Sequence, residues 1–216
     1  MSARPSSIST HDAMTIMDVP ARFDVTHWPS SVEKFLERTE KPLHRAILKN
    51  YLRHLLLEVS GYWDRLLVPE LTVAVPEYRV GDRGTVRVLS GRAAVEDFYR
   101  KTWESRSNVM GARTMNMCVE DFGVTTEAYW AQIVPGEFLH DHDIDADPDA
   151  HYLMNYNIFQ IFAYTDEPKL IGERIYVDSA SYRYEKLAPE DVVTPQQARR
   201  ELAPLLARAT LDRLSP

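Results

Sequence analysis

Tyr152-Leu-Met-Asn-Tyr-Asn-Ile-Phe-Gln-Ile-Phe-Ala-Tyr164 decides the fold. This run is rich in aromatic and β-branched residues, and it is apolar on both of its alternating faces, so it reads as a strand buried on each side. Thr165-Asp166-Glu167-Pro168 is a turn, and a further β-rich run, Leu170 to Tyr184, begins after it. Upstream lie two similar runs, Arg113 to Val119 and Val124 to Val134. Sequential strands joined by short turns predict an antiparallel meander. One face of the Tyr152–Tyr164 strand can close on helices. The other can meet a second subunit, since an exposed apolar sheet face marks an interface, and a homodimer is expected.

The first half of the chain supplies the helices. From Leu43 to Ser60 apolar residues fall at Ile47, Leu48, Tyr51, Leu52, Leu55, Leu56 and Val59, in steps of three and four. Pro42 suits the first turn of that helix and Gly61 its end. Ser30-Ser31-Val32-Glu33 offers a capping box for a short helix from Val32 to Glu40. Trp63 to Leu67 reads as a short helix, and Leu71 to Val75 as a strand stopped by Pro76. Gly81 to Gly84 reads as a turn, Thr85 to Leu89 as a strand, and Arg92 to about Trp103 as a helix with its stripe at Ala94, Val95, Phe98 and Tyr99. Thr194-Pro195 opens a last helix ending near Leu211. Helices followed by antiparallel strands predict an α+β fold: a curved antiparallel sheet packed on helices, with extra N- and C-terminal helices. We divide the chain into a polar tail (1–27), the main domain with an extra N-terminal helix (28–190) and a C-terminal helix (191–216).

Composition excludes several classes. The chain has 216 residues, 44% apolar and 26% charged, which is ordinary for a globular protein able to bury a single core. Twenty-five basic and 32 acidic residues give −7, and no basic stripe is present, so nucleic acid is not an expected partner. Cys118 is the only cysteine, which forbids an intrachain disulfide and fits a reducing compartment. No apolar stretch has the length of a signal peptide or a membrane span, so a cytoplasmic protein without membrane contact is expected.

Three stretches, in their order and spacing, resemble the nuclear transport factor 2-like superfamily over roughly residues 42 to 186. They are Tyr51-Leu-Arg-His54 through Gly61-Tyr-Trp-Asp64 to Leu71-Thr-Val; Ser90-Gly91-Arg92 with Val95 and Phe98-Tyr99; and Lys169-Leu-Ile-Gly-Glu173-Arg-Ile-Tyr176-Val-Asp178. The superfamily includes ketosteroid isomerases, scytalone dehydratases, limonene epoxide hydrolases and SnoaL-like polyketide cyclases. The resemblance implies a cone-shaped domain enclosing a deep apolar pocket. It makes Tyr51 similar to the helix tyrosine that bonds the substrate oxygen in the isomerases. Where their general base stands this chain has Val75, and where their second oxyanion donor stands it has Gln160. Ile175 occupies the position of the epoxide hydrolases' acid. The ketosteroid and epoxide-hydrolase mechanisms are therefore not carried over, and Asp178 matches a family Asp that is more often structural.

The residues themselves point to proton transfer. Glu173, Ile175 and Val177 share one strand face, which by the resemblance lines the pocket. A carboxyl among apolar neighbours has its pKa raised by desolvation and suits general acid–base work; a rim Glu paired with Arg113 is the competing reading. Tyr51, His54 and Glu58 share a helix face, with Tyr51 a hydrogen-bond donor and His54 able to titrate near neutrality. Asp64 either pairs with a pocket His as a dyad or caps a helix. The candidate catalytic residues are Glu173, His54, Tyr51 and Asp64. The candidate substrate contacts are Trp63, Val75, Met115, Trp130, His151, Tyr156, Gln160, Phe162 and Ile175, many of them aromatic and suited to a flat apolar ligand.

Glu137 to His151 holds six acids and no Lys or Arg. It lacks the glycine and the closing glutamate of a calcium loop, so it reads as a solvated connection and no metal is expected. The expected function is a lyase or isomerase that needs no cofactor, performing cyclisation, dehydration or isomerisation on a small apolar carbonyl or polycyclic substrate. A ligand carrier and a protein-interaction module are the alternatives.

Overall fold

The structure, a computed structural model, describes residues 12–16 and 22–211. Its elements in chain order are β1 (Asp12–Ile16), α1 (His27–Arg38), α2 (Pro42–Val59), β2 (Glu77–Asp82), β3 (Thr85–Ser90), α3 (Arg92–Glu104), β4 (Val109–Glu120), β5 (Gly123–Pro135), α4 (Gly136–His140), β6 (His151–Tyr164), β7 (Leu170–Lys186) and α5 (Pro195–Leu211). Short 3₁₀ turns stand at Trp63–Arg65 and Pro189–Asp191. Seven strands form one sheet in the order β1-β4-β5-β6-β7-β2-β3. Every pairing is antiparallel except that of β2 with β7. The fold is α+β, a curved sheet closed by helices into a cone. Register shifts at Ala112/Thr114, Asn155/Asn157 and Ala163/Tyr164 add local twist and bend where the long strands curve.

Alternation sets the two faces of the sheet. Val124, Thr126, Ala128 and Trp130 of β5, with Met154, Tyr156, Ile158, Gln160 and Phe162 of β6, are buried. Between them Glu127, Tyr129, Asn157 and Phe159 turn outward. The helices cover the buried face: α2 packs on α1, α5, β4 and β5, and Ile47, Leu48, Tyr51, Leu55 and Leu56 disappear into that contact.

Gly61 ends α2 as expected. With φ +69° it lets its own N–H bond the Glu58 carbonyl and the Tyr62 N–H bond the Leu57 carbonyl, both at 2.9 Å. A Cβ at Gly61 would lie 2.0 Å from the Trp103 ring. The same corner is clamped from α5, where Arg199 donates to the carbonyls of Ser60 (2.8 Å) and Gly61 (3.1 Å) and stacks over Tyr62 and Trp103. The corner fixes the end of α2, and with it the position of Glu58.

Several expectations need correction. Helix α1 starts at His27 rather than Val32: the Asp24 carboxylate accepts from the Thr26 N–H at 2.8 Å, and Ser30 sits inside the first turn rather than capping it. Leu71–Val75 forms no strand. It makes one parallel bridge, Thr72 with Leu170. The Asn50 side chain takes the Leu71 carbonyl at 2.8 Å, and Pro76 follows at the bend. The turn expected at Gly81–Gly84 is shorter: Gly81 and Asp82 end β2, paired to Val86 and Thr85 of β3, with Gly81 also beside Tyr176 of β7, and the turn falls at Arg83 and Gly84. Within the N-terminal tail, residues 12–16 add a strand to the sheet beside β4. The rest of that segment (1–11 and 17–21) and the chain end (212–216) lie outside the described residues. Among the described residues no helix is long and apolar enough to cross a membrane.

Candidate acid–base site

Inside the cone lies a cavity of about 510 Å³. Its sheet wall is Trp130 of β5, Tyr156, Gln160 and Phe162 of β6, and Ile175 of β7. Trp28 and Glu58 come from α1 and α2, while α3 (Phe98, Lys101) and the α4 region (Phe138, His142) stand around it. Strand alternation brings Glu173 to this wall, on the inward face with Ile175 and Val177.

Glu173 is 2% exposed and does not pair with a surface arginine. Its Oε1 accepts from the Tyr99 hydroxyl at 2.7 Å and lies 2.9 Å from His54 Nε2. His54 Nε2 is also 2.9 Å from the Tyr99 hydroxyl, and the Tyr99 and Tyr78 hydroxyls are 3.2 Å apart. All four side chains are buried. Burial pushes the hydroxyl pKa values of Tyr99 and Tyr78 up, and the charge of Glu173 raises them further, so both stay protonated supports.

Another acid on the wall, besides Asp97 and Asp141 at the rim, is Glu58, one helical turn after His54. Its Oε2 lies 3.9 Å from His54 Nε2. Burial first, and then the negative charge of Glu173, hold the Glu58 carboxyl well above the usual carboxylate range. Opposite them, the Gln160 carboxamide oxygen accepts from the Thr126 hydroxyl at 3.1 Å, which leaves its amide N–H groups for the cavity.

The structure brings together Glu173 and His54 among the expected catalytic residues, and puts Trp130, Tyr156, Gln160, Phe162 and Ile175 on the cavity wall. It places the others elsewhere. Tyr51 shares the helix face with His54 but lies in the core, edge-on to Phe162 at 4.8 Å between ring centres. Among the described residues its hydroxyl has no hydrogen-bond partner, and burial pushes its pKa up. Asp64 is exposed on the 3₁₀ turn, so the partner of His54 is Glu173 and the His54–Asp64 dyad is not formed. Val75 is 68% exposed. Trp63 packs on the edge of the core outside the cavity. Met115 is a buried core residue that touches a groove on the outer sheet face instead. His151 is half-buried at the start of β6, away from the cavity wall; burial, then the charge of Arg106, lower its pKa.

In the sequence Tyr99 counts only as part of a helix stripe and Tyr78 only as one of the aromatics around the pocket; neither hydroxyl has a role there. Helical spacing set Glu58 on the correct helix face without a role. The acidic segment spends charge on ion pairs: Glu137 with Arg106 (2.6 Å) and Asp147 with Lys186 (2.7 Å). Among the described residues no three His, Cys, Asp or Glu side chains gather as a metal site.

No family model matches the chain, and no curated protein matches it. Among solved structures it is similar to the epoxide hydrolase/cyclase-like enzyme SalBIII, described for pyran ring formation in the polyether salinomycin. The TM-score is 0.45 at 15% identity, over 62% of this chain and 91% of that one.

Proposed function

We propose that the protein is an enzyme that moves a proton on a small apolar carbonyl substrate with its own side chains, the outcome being cyclisation, dehydration or isomerisation. The observation that carries this is Glu173: a carboxyl buried in the wall of a roomy aromatic cavity, fixed through one oxygen by Tyr99 and His54. Glu173 takes a proton from the carbon beside the carbonyl. Gln160 bonds the carbonyl oxygen, where negative charge develops. Trp130, Tyr156 and Phe162 hold the apolar body and keep water out.

The test uses the two tryptophans at the cavity. Apolar ketones such as 2-tetralone are screened for quenching of tryptophan fluorescence, and those that bind are incubated with the protein in D₂O. Deuterium is expected at the α-carbon, by NMR, with a rate that saturates in ketone. Binding without exchange overturns the enzyme and leaves a carrier.

We extend the reading to a homodimer across the outer sheet face, where Tyr129, Phe159 and Tyr176 are each more than a third exposed around a groove of about 640 Å³. Light scattering is expected to give twice the chain mass, and a monomer at high concentration rules this out.

A further inference from the structure

Four acids line the cavity: Asp97, paired with Arg100 and Lys101, and the exposed Asp141 stand at its rim, while Glu58 and Glu173 lie inside, and the chemistry above uses only Glu173. Glu58 lies on the wall with its side chain 14% exposed. Apart from the 3.9 Å approach of His54 Nε2, its carboxyl makes no hydrogen bond to a described residue. A buried acid left without a partner costs stability unless it keeps its proton. The groups packed around it favour that: Glu173 faces it from β7, the phenols of Tyr51, Tyr78 and Tyr99 lie nearby, and His54 is already engaged by Glu173 and Tyr99. The O–H of Glu58 is thus available to the cavity.

We propose that Glu58 is the proton donor to a departing substrate oxygen, with Glu173 as the base. This rests on the reading of Glu173 given above, and it narrows the substrate to a β-hydroxy carbonyl compound. Glu173 takes the α-proton, and the electrons of the broken C–H bond become the new C=C bond. The C–O bond breaks with its electron pair on oxygen, which takes the Glu58 proton and leaves as water. Nothing is oxidised or reduced. Glu173 ends protonated and Glu58 ionised. Both carboxyls return to their starting states by proton exchange with water once the product has left the cavity. A base working alone can enolise a ketone; expelling hydroxide without an acid is far slower.

The experiment compares two reactions on one carbon skeleton: α-deuterium exchange of a bound ketone, and loss of water from its β-hydroxy analogue. In Glu58→Gln, elimination is expected to fall by two orders of magnitude or more, at least tenfold further than exchange. Glu58→Asp restores part of it. Infrared titration near neutral pH is expected to show a protonated-carboxyl band that Glu58→Gln removes, and thermal melting confirms that the variant is folded. The proposal falls if elimination and exchange drop equally, if neither drops, or if the wild type exchanges but dehydrates no β-hydroxy ketone. A wild type that binds ketones without exchanging them overturns the earlier reading instead.

Discussion

Glu173→Gln is expected to slow α-proton exchange on a bound ketone by two to four orders of magnitude, the ordinary worth of a positioned general base. Glutamine preserves the shape of the side chain, and its carbonyl oxygen can still accept from Tyr99. It cannot hold the substrate proton. The aromatic wall does not depend on that charge, so ketone binding, read by tryptophan fluorescence, is expected to change only a few-fold. A loss of activity without a loss of binding is the pattern of an interaction made in the transition state. If exchange falls less than tenfold while binding holds, Glu173 is not the base. Tyr99 and His54 touch Glu173 rather than the cavity wall, so they are positioning residues, and their removal should shift the pH profile as well as the rate.

Gly172→Ala is expected to cost the fold about 3 kcal/mol, at the upper end for overpacking. A Cβ at Gly172 would stand 1.8 Å from the carbonyl oxygen of Glu77 and 2.7 Å from its carbon. The obstacle is backbone, so no side chain can swing aside. Glu77 opens β2, and β2 is pinned to β7 through Arg79 with Arg174 and Val80 with Ile175. Either β2 shifts away or β7 twists beside Glu173. Urea unfolding should show a lower midpoint with an unchanged slope, and the melting point should fall by roughly 2–4 °C per kcal/mol for a chain of this size. An unaltered midpoint would mean that the strands separate at no cost.

The parts of the fold that were legible are those where one chemical pattern governs many successive residues. The α2 stripe from Ile47 to Val59 is of this kind, because each burial depends on period alone. Period put Glu173 on one strand face with Ile175 and Val177, and the family resemblance turned that face toward the pocket. What failed depended on contacts between distant segments. The turn expected from Gly81 hid the end of β2, whose partner β7 comes from far along the chain. Helical spacing put Tyr51, His54 and Glu58 on one face but not at one depth. Tyr51 meets Phe162 in the core, while Glu58, seven residues further on, reaches the cavity. The Asp64 dyad assumed that a nearby acid finds the histidine; the acid that does so belongs to β7. Tyr99 was visible as an apolar position, and its hydroxyl acquires meaning only from what it touches.

The parallel junction of β2 with β7 also fixes an order of events during synthesis. A ribosome delivers His54, Glu58, Tyr78 and Tyr99 long before Glu173. Until β7 has left the exit tunnel, the β2–β3 hairpin has no neighbour on one side, β6 has an open edge, and His54 has no carboxylate. Such edges invite pairing with other nascent chains, and only the last long strand removes them. The strand that completes the sheet is also the one that carries Glu173, so a chain released before β7 would have neither a closed fold nor that carboxyl.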